Sequence, residues 1–385
     1  MNINFLVRLI GSALLLPVVI STVASGATLS TDGQRITIDP RVATLLNEAS
    51  SALKGKQYDL VISRLTAALQ EKPEKNTTSF IYTLRADAYI HKGELNKAMD
   101  DANEAIRLTP HFYGGYLERG IVYRRTGNLD KAISDHETAI RFNANSSLAY
   151  QGLAVAYDYK GDYQQSIRDT TEAIRRNPRD ADLYVNRAVG YVSIGSLDKA
   201  IADYTEAIRL NPKNAAAYSR RGYVNVQTGN LNQASADYDQ AIRCIPRDAY
   251  GYMFRGDAYS AKGNYEAAAS DFEKAAQLCR NNDLVLNSLS WFKATCVDAS
   301  FRNGKEAVQA ATKACELTKW KDPSSLDSLA AAYAETGDFD QALKYQTQAL
   351  NTTGVYAFWR KKRQERLELY RQHKPHREES KLRTR

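Results

Sequence analysis

Cysteine, histidine and proline are scarce in this chain of 385 residues, at four, five and nine respectively. Four cysteines are too few to make the dense disulfide framework of a small secreted scaffold. Five histidines leave no crowded inventory of metal ligands, and His91, His111, His136, His373 and His376 lack metal-site spacing. There is no glycine-rich phosphate loop, no Gly-x-Ser-x-Gly elbow and no cysteine–histidine pairing at a recognisable interval. No catalytic residue, metal or cofactor is therefore expected. Long apolar runs are as rare: Leu9 to Ala24 is the one such stretch.

That run follows Arg8 and precedes the small residues Ala24-Ser25-Gly26-Ala27. It is short for a spanning helix of about 20 residues, and Pro17 interrupts it. Residues 1–27 therefore read as an export signal, with an uncleaved N-terminal anchor as the alternative, and residues 28–41 as a linker. Export places the mature chain in a periplasm or outside the cell. Excess charge is confined to the ends. Of the net +8, residues 355–385 carry +7 and Arg8 the remainder, so residues 28–354 sum to zero. A neutral body exerts no general pull on nucleic acid, and no nucleic-acid partner is expected. Membrane contact is expected only through the N-terminal helix or the basic end.

Tyrosine is abundant, at 24 residues, and its placement is periodic. Tyr82, Tyr116, Tyr150, Tyr184, Tyr218 and Tyr252 are 34 residues apart; so are Gly93, Gly127, Gly161, Gly195, Gly229 and Gly263; so are Ala105, Ala139, Ala173, Ala207, Ala241 and Ala275. Within one unit Tyr184, Ala188 and Tyr191 fall at helical spacing, Gly195-Ser196 breaks it, and Ala200, Tyr204, Ala207 and Ile208 resume it. Each unit is thus a helix, a glycine turn and a second helix, with Pro110, Pro178, Pro212 and Pro246 stopping the second helix. Neither helix buries its stripe alone, so successive pairs must stack.

The set Tyr184, Ala188, Tyr191, Gly195, Ala200, Tyr204, Ala207 and Pro212 resembles the tetratricopeptide repeat, whose period is 34. The resemblance spans about 42–356 and implies an all-α fold: a right-handed superhelical solenoid of antiparallel helix pairs with a C-terminal capping helix. It also implies a concave groove, lined by the first helix of each pair, that binds a protein or peptide and no small-molecule substrate. About nine repeats are expected, at 42–75, 79–112, 113–146, 147–180, 181–214, 215–248, 249–282, an atypical 283–322, and 323–356. In the atypical unit the glycine step lengthens to Gly304 and a bulged inter-helix loop is expected. A capping helix over 357–372 and a basic, disordered tail over 373–385 complete the chain.

An arginine recurs at position 7 of the units, as Arg85, Arg119, Arg187, Arg221 and Arg255. An aspartate recurs at position 23, as Asp101, Asp135, Asp203, Asp237 and Asp271, and also as Asp169, whose unit has Leu153 in the arginine's place. At 100° per residue the two types border the apolar stripes of the first and second helix, so a ladder of half-buried ion pairs is predicted. Arg107, Arg141, Arg175, Arg209 and Arg243 point the other way and read as a solvated convex face.

Positions facing away from the first helix's stripe vary between units, as a repeat scaffold's specificity positions do. The expected groove lining is Leu117, Ile121, Leu148, Val155, Val185 and Val189, bordered by Arg124, Arg125, Tyr159, Asn186, Arg220 and Tyr223. Some members of the family grip a C-terminal carboxylate with lysines and asparagines at set positions. The lysines are lacking here, so a partly apolar extended or helical segment suits the groove better. Residues 294–318 resemble a variant bacterial unit. That likeness leaves two states open for Cys296 and Cys315: a disulfide, or buried free thiols. The function expected is that of an exported, non-catalytic scaffold; the alternative is an envelope-associated structural subunit held by its N-terminal helix or basic tail.

Overall fold

A glycine closes the first helix of most hairpins, and the backbone geometry shows why. Gly93, Gly127, Gly161, Gly195, Gly229, Gly263 and Gly337 have φ between 74° and 83°, a left-handed conformation that a Cβ would strain. At Gly93 the glycine N–H donates to Ile90 O at 3.1 Å and the next N–H, of Glu94, to Tyr89 O at 2.9 Å. These bonds satisfy the carbonyls that the helix end leaves free and turn the chain back on itself.

The structure is a computed structural model that describes residues 29–31, 34–36, 39–352 and 357–378. The expected export signal, residues 1–27, lies outside the described residues. The fold is all-α apart from a small antiparallel hairpin, in which β1 (Leu29–Thr31) pairs with β2 (Gln34–Ile36) inside the expected linker. The described residues form two compact units, divided after residue 210. Among the described residues, no helix is long and apolar enough to cross a membrane.

Among the described residues the first unit holds five helix pairs: α1 (Pro40–Lys54) with α2 (Tyr58–Gln70), α3 (Lys75–Lys92) with α4 (Leu95–Leu108), and α5 (Tyr113–Arg125) with α6 (Leu129–Phe142). Next come α7 (Ser147–Lys160) with α8 (Tyr163–Arg176) and α9 (Ala181–Ser193) with α10 (Leu197–Leu210). Burial is shared between neighbouring pairs. Tyr113 and Leu117 of α5 pack with Ala139 of α6 and Ala149 of α7, and Ala173 and Ile174 of α8 pack with Leu183 of α9. The small alanines let the helices approach closely, which explains their fixed period.

The predicted arginines and aspartates meet in pairs. Arg85 donates from Nε and Nη2 to the two oxygens of Asp101 at 2.7 and 2.8 Å, and Arg187 does the same to Asp203 at 2.8 and 2.8 Å. Arg119 with Asp135, Arg221 with Asp237 and Arg255 with Asp271 repeat the two-pronged arrangement. Nη1 of Arg85, Arg119, Arg187 and Arg255 reaches back to the preceding hairpin, at Thr66, Asn103, Thr171 and Asp239 respectively. One guanidinium thus ties the two helices of its own unit and fixes the spacing to the unit before.

Tyrosines flank these arginines. Arg85 lies over Tyr82 and Tyr89, Arg119 over Tyr116 and Tyr123, Arg187 over Tyr184 and Tyr191, and Arg255 over Tyr252 and Tyr259, at 5.4–5.9 Å. The Tyr116 and Tyr184 hydroxyls also donate to the carbonyls of Pro110 and Pro178. Asp169, which has no arginine opposite it, accepts only from Gln165 Nε2, at 3.1 and 3.0 Å. Burial raises its pKa to about 6. On the convex side Arg107, Arg175 and Arg209 pair with Glu104, Glu172 and Glu206 and remain exposed.

The second unit continues the pattern: α11 (Ala215–Gln227) with α12 (Leu231–Cys244), and α13 (Ala249–Lys262) with α14 (Tyr265–Leu278). Then come α15 (Asp283–Thr295) with α16 (Gly304–Leu317), and α17 (Pro323–Glu335) with α18 (Phe339–Asn351). Between α15 and α16 the chain makes a 3-10 turn at Ala299–Phe301. The loop is pinned by Arg302, which donates to the Cys296 and Val297 carbonyls and pairs with Glu335 at 2.9 Å. All four cysteines are free. Cys296 and Cys315 do not form the disulfide left open by the sequence. Cys296 lies with Phe272 and Phe292, while Cys315 sits in a different cluster with Leu326 and Leu329, so the two thiols face different neighbours. Burial pushes the Cys315 thiol up to about 12, which makes it a poor nucleophile.

The capping helix, α19 (Ala357–Arg371), packs on α18 and seats Tyr370 among Ala330, Ala334 and Ala342. The chain then turns back. Residues 373–378, expected as the start of a disordered tail, instead run to the end of α15, where the Glu378 N–H donates to Thr295 O at 2.9 Å. The physical reason is that helix ends leave carbonyls free, and here the tail supplies their donors. Residues 379–385 lie outside the described residues.

Candidate functional site

The groove that the resemblance implies would be lined, in the first unit, by the first helices of successive hairpins, α3, α5, α7 and α9. On these helices residues three and four apart share a face, so the positions left over by the core stripe form a second stripe along the wall. Ile121, Leu148, Val155, Asn186 and Val189 are half-buried there, and Tyr159 is 67% exposed. Tyr159 lies 5.6 Å from the Arg124 guanidinium, and Arg125 donates to the Ile90 carbonyl at 2.8 Å. Aromatic and arginine side chains beside half-buried aliphatics are the composition that anchors interfaces. Arg220 and Tyr223 lie on α11 in the second unit, both exposed.

Two expected lining residues are placed differently. Leu117 and Val185 are 4% and 9% exposed. Both occupy position 5 of their helix, which faces the core: Leu117 packs against Ala139, Ala149 and the half-buried Leu148. Position 5 therefore belongs to the packing between hairpins, and the open stripe is narrower than the sequence suggested.

Three polar groups of these hairpins, which sequence periodicity did not single out as binding residues, carry buried atoms without a hydrogen-bond partner. Glu118 of α5 is buried, with Oε2 lacking a hydrogen-bond partner; burial and the nearby Asp87 charge hold its carboxyl well above the usual carboxylate range. The shift favours the protonated carboxyl, which can donate a hydrogen bond. Asp158 of α7 has an unpartnered, buried Oδ1, and burial raises its pKa as well. His136 of α6 is fully buried with neither ring nitrogen hydrogen-bonded, and burial lowers its pKa to about 3. The only sequence signal was that His136 stands where other units carry Tyr204, Tyr238 or Phe272.

The packing around the ring is tight. A Cβ added at Gly120 would come within 2.8 Å of the imidazole, and one added at Gly152, in the next hairpin, within 2.4 Å. The ring fills the space that two glycines leave. Replacing Gly152 by alanine is expected to destabilise the first unit by about 1–3 kcal/mol through overpacking. Urea unfolding checks this, and a variant as stable as the parent would show that the ring can move aside.

Helical hairpins that mostly repeat every 34 residues, a glycine turn in most of them and a shared core between neighbours define an α-solenoid. Tetratricopeptide repeat profiles match residues 81–112, 148–180 and 215–248, then 249–282 and 324–354, and a TPR repeat profile matches 190–229. The chain thus contains tetratricopeptide repeats over these residues. Protein SGT1 homolog of Oryza sativa subsp. japonica is 33% identical over 76 residues, which cover 20% of this chain and only 20% of that relative's length. Among solved structures, PilF of Pseudomonas aeruginosa aligns with a TM-score of 0.51 at 13% identity, over 57% of this chain and 98% of its own. A tetratricopeptide repeat protein from Parabacteroides merdae ATCC 43184 aligns at 0.47 and 19% identity, over 65% and 98%. At these identities the likeness is one of fold.

Proposed function

We propose that this protein is an exported, non-catalytic scaffold that holds a partly apolar segment of a protein partner along the inner wall of its first unit. The tetratricopeptide fold is generally a binding scaffold, and the observation that carries the reading is the stripe of Ile121, Val155 and Val189 rimmed by Arg124, Arg125, Tyr159 and Asn186. Half-buried aliphatic side chains gain from being covered, and the arginine and tyrosine rim supplies directional contacts to the partner backbone. The leading apolar segment and the paucity of cysteine-based or histidine-based chemistry support export and a role without catalysis.

A chemical-crosslinking pull-down from the native compartment tests this reading, with Val155→Asp and Val189→Asp compared against the parent. A buried carboxylate in an apolar contact costs several kcal/mol, so the partner is expected to be lost from both variants by at least about tenfold. Capture of the same proteins by both variants would contradict the wall as the binding surface. Fractionation separates the exported scaffold from the envelope subunit: the scaffold is recovered soluble and lacking about residues 1–27, the subunit in the membrane pellet at full length.

A further inference from the structure

A second recognition feature lies in the second unit, around one buried carboxylate. Asp327 of α17 accepts from Arg366 Nε at 2.9 Å and Gln346 Nε2 at 2.9 Å through one oxygen, and from Arg363 Nε at 3.2 Å and Arg366 Nη2 through the other. Asp327, Arg363 and Arg366 are all less than a tenth exposed. Two guanidinium charges thus share one carboxylate, and the cluster holds a net positive charge in a place where water screens little. Such an excess favours an added anion.

A cavity of about 790 Å³ opens beside this cluster, bounded by α15, α17, α19 and the returning tail. Trp291 forms one wall, with the Arg366 guanidinium 5.1 Å from its ring centre, and Trp359 and Lys362 line it from the capping helix. Asn287 also lines the cavity, and its Oδ1 is buried without a partner.

The chain's own tail shows how a peptide is held along the α15 side of this cavity. The His376 ring lies 5.6 Å from Trp291. Arg377 pairs with Glu335 at 2.6 Å and donates from Nη1 to the Ala294 carbonyl at 3.2 Å. Glu378 accepts from Trp291 Nε1 through its carboxylate, and its backbone N–H is bonded to Thr295 O. The free carbonyls at the end of α15, an acidic residue for a cation and an indole N–H for an anion together read two adjacent side chains and the backbone that joins them. Few groups in a disordered tail would meet so many matched partners by chance.

We propose that the α15 side of this cavity is a binding site for an extended peptide segment in which a basic residue is followed by an acidic one, and that the segment 376–378 occupies that side in cis. A partner with the same pair of charges would bind by displacing the tail. This site is separate from the inner wall of the first unit and stands whether or not that wall binds a partner.

A labelled nonapeptide of residues 372–380 is the probe. Fluorescence anisotropy would compare the parent, the full chain carrying Arg377→Ala with Glu378→Ala, and a chain shortened after residue 373. A tethered ligand competes at an effective concentration in the millimolar range, so the parent is expected to bind the peptide at least tenfold more weakly than either emptied chain. Adding Glu335→Gln to the emptied chain, or replacing the peptide's arginine by alanine and its first glutamate by glutamine, is expected to reduce binding about tenfold. If both emptied chains keep their circular-dichroism spectrum yet fail to bind the peptide, or bind the altered peptide equally well, the proposal is overturned.

Discussion

Replacing Asp203 by alanine is expected to lower the stability of the first unit by roughly 3–5 kcal/mol, the cost of removing one partner from a buried ion pair. Both Asp203 oxygens are taken by Arg187, and the pair lies between the Tyr184 and Tyr191 rings with the aspartate 7% exposed. Without the carboxylate, Nε and Nη2 of the arginine lose their acceptors, and the remaining bond from Nη1 to Thr171, at 3.2 Å, does not neutralise the charge. The arginine side chain keeps some access to water, which moves the expectation towards the lower end of the range. Asp169→Asn provides the internal comparison. Asp169 has no arginine partner, so its loss is expected to cost under about 1 kcal/mol at pH 7. Denaturant unfolding of both variants decides the matter. If Asp203→Ala costs no more than Glu206→Ala on the exposed convex side, the pairs do not hold the hairpins together.

The second large effect concerns acid. His136 is fully buried, and burial together with the nearby Arg124 depresses its pKa to about 3 from an unfolded value near 6.5. Between those two values the unfolded chain binds a proton that the folded chain refuses. Stability due to His136 is therefore complete above pH 6.5 and is lost as the pH falls towards 3. The loss amounts to about 2 kcal/mol at pH 5 and about 4–5 kcal/mol near pH 3. Glu118 and Asp169 act in the opposite sense. Their raised carboxyls make the folded state the better proton acceptor, so their contribution grows as the pH falls and is lost as the pH rises through their folded pKa values. The comparison that isolates His136 is the parent against His136→Phe at several pH values, because the phenyl ring has no proton to take up. The stability difference between the two proteins is expected to shift by about 2 kcal/mol in favour of the variant from pH 7 to pH 5. A pH-independent difference would mean that the imidazole is protonated as readily in the fold as in water.

Much of this architecture was legible because few residue types satisfy its geometry. A left-handed turn needs glycine, a close helix crossing needs alanine, and a guanidinium that must tie two helices needs an aspartate at a fixed angular offset. Those demands repeat every 34 residues and leave registered columns in the sequence. The tyrosines follow from the same logic, since they flank the arginine from one turn on either side. Other features depend on contacts between units that do not repeat. Gly152 stands at a wall position and gave no sign that His136 of the preceding hairpin fills the space beside it. Leu117 and Val185 carry the apolar character of a lining residue, yet position 5 turns them into the packing between hairpins. The charge pattern of the C-terminal end suggested a solvated tail. Its return to α15 depends on which carbonyls the final turn of that helix leaves free, and no spacing in the sequence records that.

The placement of recognition on the inner wall can be tested in one measurement. A photo-crosslinking amino acid introduced at Tyr159 on the inner wall, and separately at Arg141 on the convex side, would be irradiated in the native compartment. The account predicts a discrete partner adduct from position 159 and none from position 141. Equal adducts from both positions, or adducts from position 141 alone, would contradict it.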